Sequence, residues 1–287
     1  MRGPFSPQSP LRIGTRRSPL ALAQAEMTAA AIKTAFGLAD EALRLVPMLA
    51  TGDKIQDRPL AEIGGKALWT KELERALIED DIDIAVHSMK DVETVRSDMF
   101  TISVMLPRAD VRDRLIGANS IDALPNSARV GTSSPRRAAQ LQRLRPDLNI
   151  VPLRGNVATR LAHIEAGEAD ATLLAAAGLD RLGMADTGHA IVTDVLLPAA
   201  SQGAVGIDRL SSRPELDELL SLVNHNETYV AVMAERAFLE ALGGNCHSPV
   251  AALAIAEARN IYLRAQIFAE DGSEMQSGEI RFAPGDK

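Results

Sequence analysis

Apolar segments of strand length alternate with helical patterns through most of the first two-thirds of the chain. Apolar runs at Leu11–Gly14, Leu43–Met48 and Ile82–Val86 predict strands. Between the first two, the Ala-rich stretch Ala21–Phe36 predicts a helix that ends at Gly37. This alternation is typical of a mostly parallel sheet with helices on both faces.

A short repeat indicates that the pattern occurs twice. Residues 12–19 read RIGTRRSP, and residues 129–135 read RVGTSSP, which is the same motif with one residue removed. Both copies run into a helix that carries an Ala-Gln pair. In the first copy Ser18 is a good N-cap and Pro19 a good first helical residue. We therefore predict two similar α/β lobes, with the strand-to-helix turns lining a cleft between them.

The pattern changes towards the C-terminus. Helices are predicted at Pro214–Val223 and Thr228–Leu242, and strands at Val250–Ala256 and Ile261–Phe268. This change predicts a small third domain of α+β type. The predicted domains are a discontinuous first lobe (11–107 and 202–223), a second lobe (108–201) and a small C-terminal domain (226–287).

Composition narrows the class of protein. With 46% hydrophobic and 24% charged residues among 287, the chain is expected to be globular. A net charge of −7 argues against a nucleic-acid partner, and no apolar run reaches the roughly 20 residues of a membrane span. One cysteine cannot form an internal disulfide, which favours a reducing, cytoplasmic location. The five scattered histidines show no metal-ligand spacing, so no bound metal is expected.

Arginines gather at three predicted helix starts, where free N–H groups and the helix dipole attract anions. An arginine in a first turn opposes that dipole, and an anionic ligand would compensate it. Surface arginines solvated by water are the alternative for any single site. Three such sites in two lobes favour a cleft built for a polycarboxylate. These arginines are Arg16 and Arg17 before the first helix, Arg136 and Arg137 inside the second, and Arg154 and Arg160 around a third helix beginning near Asn156.

Two further residues could carry chemistry. Asp91 follows a buried strand beside Lys90, and it could be either an ordinary salt-bridged strand end or a carboxylate that stabilises a developing positive charge. Position alone favours the structural role. Cys246 lies in a loop of sequence GGNCHSP, which predicts an exposed thiol, and an exposed thiol is a liability unless the protein uses it.

Seven segments, in this order over roughly residues 11–270, form a highly specific combination: LRIGTRRSPLAL (11–22), GGKAL (64–68), DIAVHSMKDV (83–92), VGTSSPRR (130–137), LRGNVATRL (153–161), AAGLDRL (176–182) and SQGAVG (201–206). Together they resemble the hydroxymethylbilane synthase family, also called porphobilinogen deaminases. The resemblance implies a transferase that condenses four porphobilinogen molecules head to tail, with release of ammonia, onto a covalent dipyrromethane primer. Water then releases the linear tetrapyrrole.

The resemblance also implies residue roles. Asp91 would be the catalytic carboxylate, bonding pyrrole N–H groups, and Cys246 would anchor the dipyrromethane cofactor through a thioether. Further cofactor contacts would come from Ser88, Lys90, Thr132, Ser133, Ser134, Arg136, Arg137, Arg154 and Gln202. Substrate contacts would come from Arg16, Arg17, Ser18, Lys66, Arg160 and Arg181. Of these, Lys66 belongs to a loop predicted to be mobile because of its charge, its proline and its glycines.

The expected fold is therefore α/β, with two similar periplasmic-binding-protein-like lobes, a cleft between them and a small C-terminal α+β domain. The expected partner is porphobilinogen, and a monomer without nucleic-acid or membrane partners is expected. The chain ends at Lys287, where relatives continue into a helix, so either a smaller third domain or an incomplete sequence is expected. The same architecture could also serve a non-catalytic anion-binding protein, which is the alternative.

Overall fold

The computed structural model describes residues 5–49, 70–245 and 247–283. Lys66, the whole predicted loop before it (52–65) and Cys246 lie outside these residues. The described chain divides into two compact units. The first contains the residues up to Arg108 together with Ala204–Tyr229, and the second contains Ala109–Gly203 and the residues from Val230 onwards.

The first unit is built on a five-stranded sheet of order β2-β1-β3-β10-β4. β1 is parallel to both β2 and β3, whereas β10 is antiparallel to both β3 and β4. Its strands are β1 (Leu11–Arg16), β2 (Leu43–Met48), β3 (Ile84–Ser88), β4 (Phe100–Met105) and β10 (Val205–Leu210). Its helices are α1 (Pro19–Phe36), α2 (Lys71–Ile78) and α6 (Leu216–Ser221).

Helix α1 has the ends that its sequence predicts. The Ser18 hydroxyl accepts a hydrogen bond from the backbone N–H of Ala21, and Pro19 occupies the first turn. At the other end Gly37 adopts the left-handed conformation, with φ of 62°, and its N–H bonds the carbonyl of Lys33. Apolar residues of α1, β1, β3 and β10 then form the main core of this unit.

The second unit contains a five-stranded sheet of order β7-β6-β8-β5-β9. β6 is parallel to β7 and β8, and β5 is antiparallel to β8 and β9, so the strand directions repeat those of the first sheet. Its strands are β5 (Asp113–Ile116), β6 (Arg129–Gly131), β7 (Asn149–Val151), β8 (Ala171–Ala175) and β9 (His189–Ala190). Its helices are α3 (Pro135–Leu144), α4 (Val157–Glu165) and α5 (Ala176–Arg181).

A three-stranded antiparallel sheet of order β11-β12-β13 follows the last helix, α7 (Asn226–Ala241). Its strands are β11 (Val250–Glu257), β12 (Asn260–Phe268) and β13 (Met275–Phe282). One face packs its small and branched residues, such as Ala252 and Leu263, against Ala231 of α7. The other face contributes Leu253 to a cluster with Ala139 of α3.

The structure confirms the α/β class, the two similar lobes and the small C-terminal sheet domain. The domain boundaries and the cleft stay predictions. The expectation of mostly parallel sheets is confirmed, because four of the five strands in each large sheet run in one direction, the exceptions being β10 in the first sheet and β5 in the second. β5 and β10 are not reached through a crossover helix, so they can enter their sheets antiparallel to their neighbours. In the described part of the chain, no helix is long and apolar enough to cross a bilayer.

Candidate active site

A pocket in the first unit lies where β1 and β3 end and the chain turns away from the sheet. Four of the predicted site residues line it together: Arg16, Ser18, Ser88 and Asp91. Asp91 closes the single 3-10 turn that follows β3. The remaining lining residues are Leu20, Ala21, Gln24, Thr70, Val86 and His87.

The hydroxyl of Ser88 is fixed by a side chain of α1. The Gln24 Nε2 lies 2.7 Å from the Ser88 Oγ, and the same hydroxyl lies 3.0 Å from Gln24 Oε1. Gln24 is only 2% exposed, so this contact joins the end of β3 to the first helix from within the pocket wall. Gln24 belongs to the Ala-Gln pair of the first repeat, and the sequence alone did not indicate a place in the site.

Behind the pocket, His87 belongs to a buried charged cluster. Its Nε2 lies 3.3 Å from Asp208 Oδ2, and Arg96 bonds the same carboxylate and also Glu74 Oε1 at 2.9 Å. Burial alone raises the pKa of Asp208, but the charges and hydrogen bonds of His87 and Arg96 outweigh it and hold that pKa below its ordinary value. Asp208 therefore stays ionised and orients the imidazole.

In the second unit, the first turn of α3 carries two buried arginines. Arg136 Nη2 donates to Asp113 Oδ2 at 2.8 Å, and Arg137 Nη2 donates to Asp113 Oδ1 at 2.7 Å. Their remaining bonds reach backbone carbonyls, Arg136 to Leu197 at 2.8 Å and Arg137 to Leu173 at 2.9 Å. Asp113 itself has no exposed side-chain surface.

A protein carboxylate therefore binds both arginines and neutralises one of their two charges, whereas the sequence interpretation assigned all of the compensation to a bound anion. Burial raises the pKa of Asp113, but the charges of Arg137 and Arg136 and their hydrogen bonds lower it far more, so the net shift is downward. Asp113 is therefore ionised at neutral pH. That Arg136 and Arg137 contact a cofactor stays a prediction.

The predicted polar residues beside α3 organise its start. Ser134 caps the helix, its Oγ accepting from the backbone N–H of Arg137 at 3.4 Å. Thr132 Oγ1 accepts from the Ser134 N–H at 3.1 Å, and Ser133 Oγ donates to a backbone carbonyl at 3.2 Å. Gln202 belongs to the cluster of Asp113 and the two arginines, because its Nε2 donates to Asp113 Oδ1 at 2.9 Å.

The other predicted basic residues that the structure describes are not among those that line the pocket or bind Asp113. Arg160 donates through Nε to the carbonyl of Gly155 at 2.9 Å, near the start of α4, and Arg181 donates through Nη2 to the carbonyl of Gly203 at 2.7 Å. Burial lowers the pKa of Arg181. Arg17 is exposed, with its Nε 3.4 Å from a backbone carbonyl. Lys90 and Arg154 are half-buried, and the roles of all these residues stay predictions.

Comparison with known proteins decides the family. A family model described as "Porphobilinogen deaminase, dipyromethane cofactor binding domain" matches residues 11–218, and "Porphobilinogen deaminase, C-terminal domain" matches residues 229–285. The chain belongs to the porphobilinogen deaminase family. Members of this family are transferases, so the chain is an enzyme, and the alternative of a non-catalytic anion-binding protein is not favoured.

Similar proteins cover nearly the whole chain. Porphobilinogen deaminase of Sphingopyxis alaskensis is 60% identical over 96% of this chain and 89% of its own. That of Paracoccus denitrificans is 48% identical over 95% of this chain and 88% of its own. Among solved structures, a TRAP periplasmic solute binding protein from Desulfovibrio salexigens is 10% identical, with a TM-score of 0.42, over 80% of this chain and 75% of that one.

The residues of the second-unit cluster fit a dipyrromethane cofactor, whose rings bear carboxylate side chains. Two guanidinium groups face one carboxylate, which leaves an excess of one positive charge. The Nε of Arg136 is also buried without a hydrogen-bond partner among the described residues. An unpaired buried donor beside a net positive charge matches a carboxylate ligand. Cys246, the predicted attachment point, lies outside the described residues.

Sequence reasoning missed Asp113, His87 and Asp208 as members of these clusters. The two aspartates occur in strands that the apolar pattern did not predict, and neither has a local motif that marks it as buried. His87 is the first residue of the HSMKD segment (87–91), which is the one signal that could have singled it out. No group of three metal-binding side chains occurs within the described ranges.

Proposed function

We propose that this chain condenses four porphobilinogen molecules into a linear tetrapyrrole, with Asp91 as its catalytic carboxylate. The observation that carries the proposal is the pocket at the ends of β1 and β3. There Asp91 shares a wall with Arg16, Ser18 and Ser88, in a chain whose family performs this reaction.

Asp91 can stabilise positive charge on a pyrrole ring. Its carboxylate oxygens accept hydrogen bonds from ring N–H groups, and a carboxylate held in place before the reaction costs no reorganisation as charge develops. The turn that holds Asp91 is anchored by Met89, which is fully buried. Ser88, fixed by Gln24, supplies a hydroxyl of defined orientation next to it.

Arginines and hydroxyls hold the acidic side chains of the substrate. Arg16 and Ser18 stand at the positive end of α1, where guanidinium and helix dipole act in the same direction on a carboxylate. Arg17, Lys66, Arg160 and Arg181 are proposed to extend this set along the growing chain.

The cofactor is proposed to be attached to Cys246 and held by a second group of donors. When bound, the dipyrromethane supplies the pyrrole carbon to which the first substrate unit is joined. Residues of this chain hold it: the arginines at the start of α3 bind its carboxylates, and hydroxyls and amides bind the rest. The proposed set is Ser88, Lys90, Thr132, Ser133, Ser134, Arg136, Arg137, Arg154 and Gln202.

We further propose a cytoplasmic monomer whose partner is the small molecule porphobilinogen. The single cysteine and the net charge of −7 support this proposal, because they favour a reducing compartment and oppose binding to nucleic acid.

Replacement of Asp91 tests the proposed reaction. Purified protein should release ammonia and a linear tetrapyrrole from porphobilinogen, and Asp91→Ala should lower kcat by about a hundredfold or more, since a charge-stabilising group is lost. The thermal midpoint should change little, because Asp91 is only partly buried.

Asp98→Ala is the matched control, because Asp98 is an exposed aspartate outside the pocket. It should keep wild-type turnover. If Asp91→Ala retained turnover close to that of the wild type, the catalytic role of Asp91 would be wrong. If the wild type did not consume porphobilinogen, the proposed reaction itself would be wrong.

A further inference from the structure

The two lobes can be aligned residue by residue from their strand registers. In the first lobe Gly14 of β1 pairs with Ala85 of β3, and in the second Gly131 of β6 pairs with Thr172 of β8. Three residues further along β3 and β8, at the ends of these strands, Ser88 and Ala175 are therefore equivalent.

The antiparallel strand next to this position carries an apolar residue in the first lobe and a charged residue in the second. Val205 of β10 pairs with Ser88, and Asp113 of β5 pairs with Ala175. Asp113 therefore occupies in the second lobe the place that Val205 occupies in the first. Both side chains are buried, with exposures of 1% and 0%.

The helices that face these two positions differ in the same way. Ser18 and Ser134 cap α1 and α3, and a proline follows each of them. Counting from the caps, Arg136 is equivalent to Leu20 and Arg137 to Ala21. A valine, a leucine and an alanine in the first lobe thus correspond to an aspartate and two arginines in the second.

The first lobe shows that the fold does not require charge here. Replacing a buried ion pair by apolar residues is often neutral or stabilising, because burial costs the ions their hydration. The second lobe nevertheless keeps three buried ionic groups, together with Gln202, which donates to Asp113. A requirement other than stability accounts for them.

We propose that Asp113 is a positioning residue for the cofactor, an inference that rests on the proposed function. Four donor atoms converge on its two oxygens: Arg136 Nη2, Arg137 Nε, Arg137 Nη2 and Gln202 Nε2. These bonds fix both guanidinium groups and one amide. Because one carboxylate neutralises only one of the two arginines, a positive charge and the unpaired Nε of Arg136 remain for a carboxylate of the cofactor.

Asp113→Asn tests this role directly, since it keeps the shape of the side chain and removes its charge. Two readouts are needed: the fraction of purified protein that carries a mass increment of two pyrrole units, and the kinetics with porphobilinogen. We expect the loaded fraction to fall severalfold and kcat of the loaded protein to fall about tenfold or more, because misplacement of a bound group by about 1 Å is costly. KM should stay within about twofold, since the first-lobe pocket is untouched.

A triple variant separates this role from folding. Asp113→Val, Arg136→Leu and Arg137→Ala together reproduce the apolar set of the first lobe. We expect its thermal midpoint to lie close to that of the wild type, whereas Asp113→Val alone should unfold at a much lower temperature. The triple variant should nevertheless remain unloaded.

Asp83→Asn is the matched control, because Asp83 is also a buried carboxylate that binds two arginines, Arg12 and Arg213. It should lower stability but leave loading, kcat and KM unchanged. The positioning role is wrong if Asp113→Asn loads and turns over like the wild type, if the triple variant regains loading, or if the triple variant is as unstable as Asp113→Val. A wild type that neither loads nor turns over contradicts the proposed function and this inference with it.

Discussion

The two lobes share one framework at the start of their strands and differ at the end of them. In the first lobe Arg12 of β1 binds Asp83 through its backbone N–H and its guanidinium, at 2.8 Å and 2.9 Å. In the second, Arg129 of β6 binds Asp170 in the same two ways, at 2.7 Å and 2.9 Å. Equivalent ion pairs thus link β1 to the start of β3 and β6 to the start of β8.

At the carboxyl ends of the strands the lobes diverge. The first lobe places Asp91 in a pocket and has the apolar Leu20 and Ala21 in the first turn of its helix, whereas the second has two arginines in that turn and buries Asp113 beneath them. Binding groups of open α/β sheets gather at these strand ends. The comparison shows that one framework can carry either a partly exposed carboxylate in a pocket or a set of fixed cations.

The largest expected loss of stability comes from placing an aspartate in the first lobe at the position that Asp113 occupies in the second. Val205→Asp buries a carboxylate at the position equivalent to that of Asp113, in a lobe where Leu20 and Ala21 replace the two arginines. We expect a loss of about 3 kcal/mol or more in the free energy of unfolding, because the unpaired charge loses its hydration. Urea denaturation at neutral pH measures this loss.

Val205→Thr is the control, because it has nearly the same volume and carries no charge. Val205→Thr should lower the free energy of unfolding clearly less than Val205→Asp does. Equal losses would mean that polarity, and not charge, distinguishes the two lobes at this position.

A smaller loss in the free energy of unfolding is expected when the glycine that both repeats contain is replaced by alanine. A Cβ on Gly131 would lie 2.8 Å from the Leu153 Cβ, which is close to the backbone and cannot easily move. A Cβ on Gly14 would meet the Ile82 Cδ1 at 2.3 Å, which is the far end of a flexible side chain. We expect Gly131→Ala to cost about 1–3 kcal/mol and Gly14→Ala less.

Denaturation midpoints of the two alanine variants, measured side by side, check this order. A greater loss for Gly14→Ala would show that Ile82 is held more rigidly than its position indicates.

Local signals in the sequence were enough to predict many of the helices and strands and several of their ends. The N-cap at Ser18, the end of α1 at Gly37 and the strand Leu43–Met48 all occur as predicted, because caps, glycine and apolar runs act over a few residues. The helix predicted to begin near Asn156 is likewise found, and Asn156 caps it by accepting from the Thr159 N–H at 2.9 Å.

The second-lobe cluster could not be predicted in the same way. Asp113 lies in the segment ADVRDRL, where two aspartates alternate with two arginines and nothing local indicates which carboxylate is buried. Only the register of β5 against β8 places Asp113 beneath α3. The exposed edge strand β13 was missed for a related reason, because most of its residues face solvent and give no apolar alternation.

The intact mass of the protein tests the central claim most directly. The account predicts that the wild type carries an increment of two pyrrole units and that Cys246→Ala carries none and does not turn over porphobilinogen. A wild type with the unmodified mass of its sequence, or a Cys246→Ala variant with the same increment as the wild type, would contradict it.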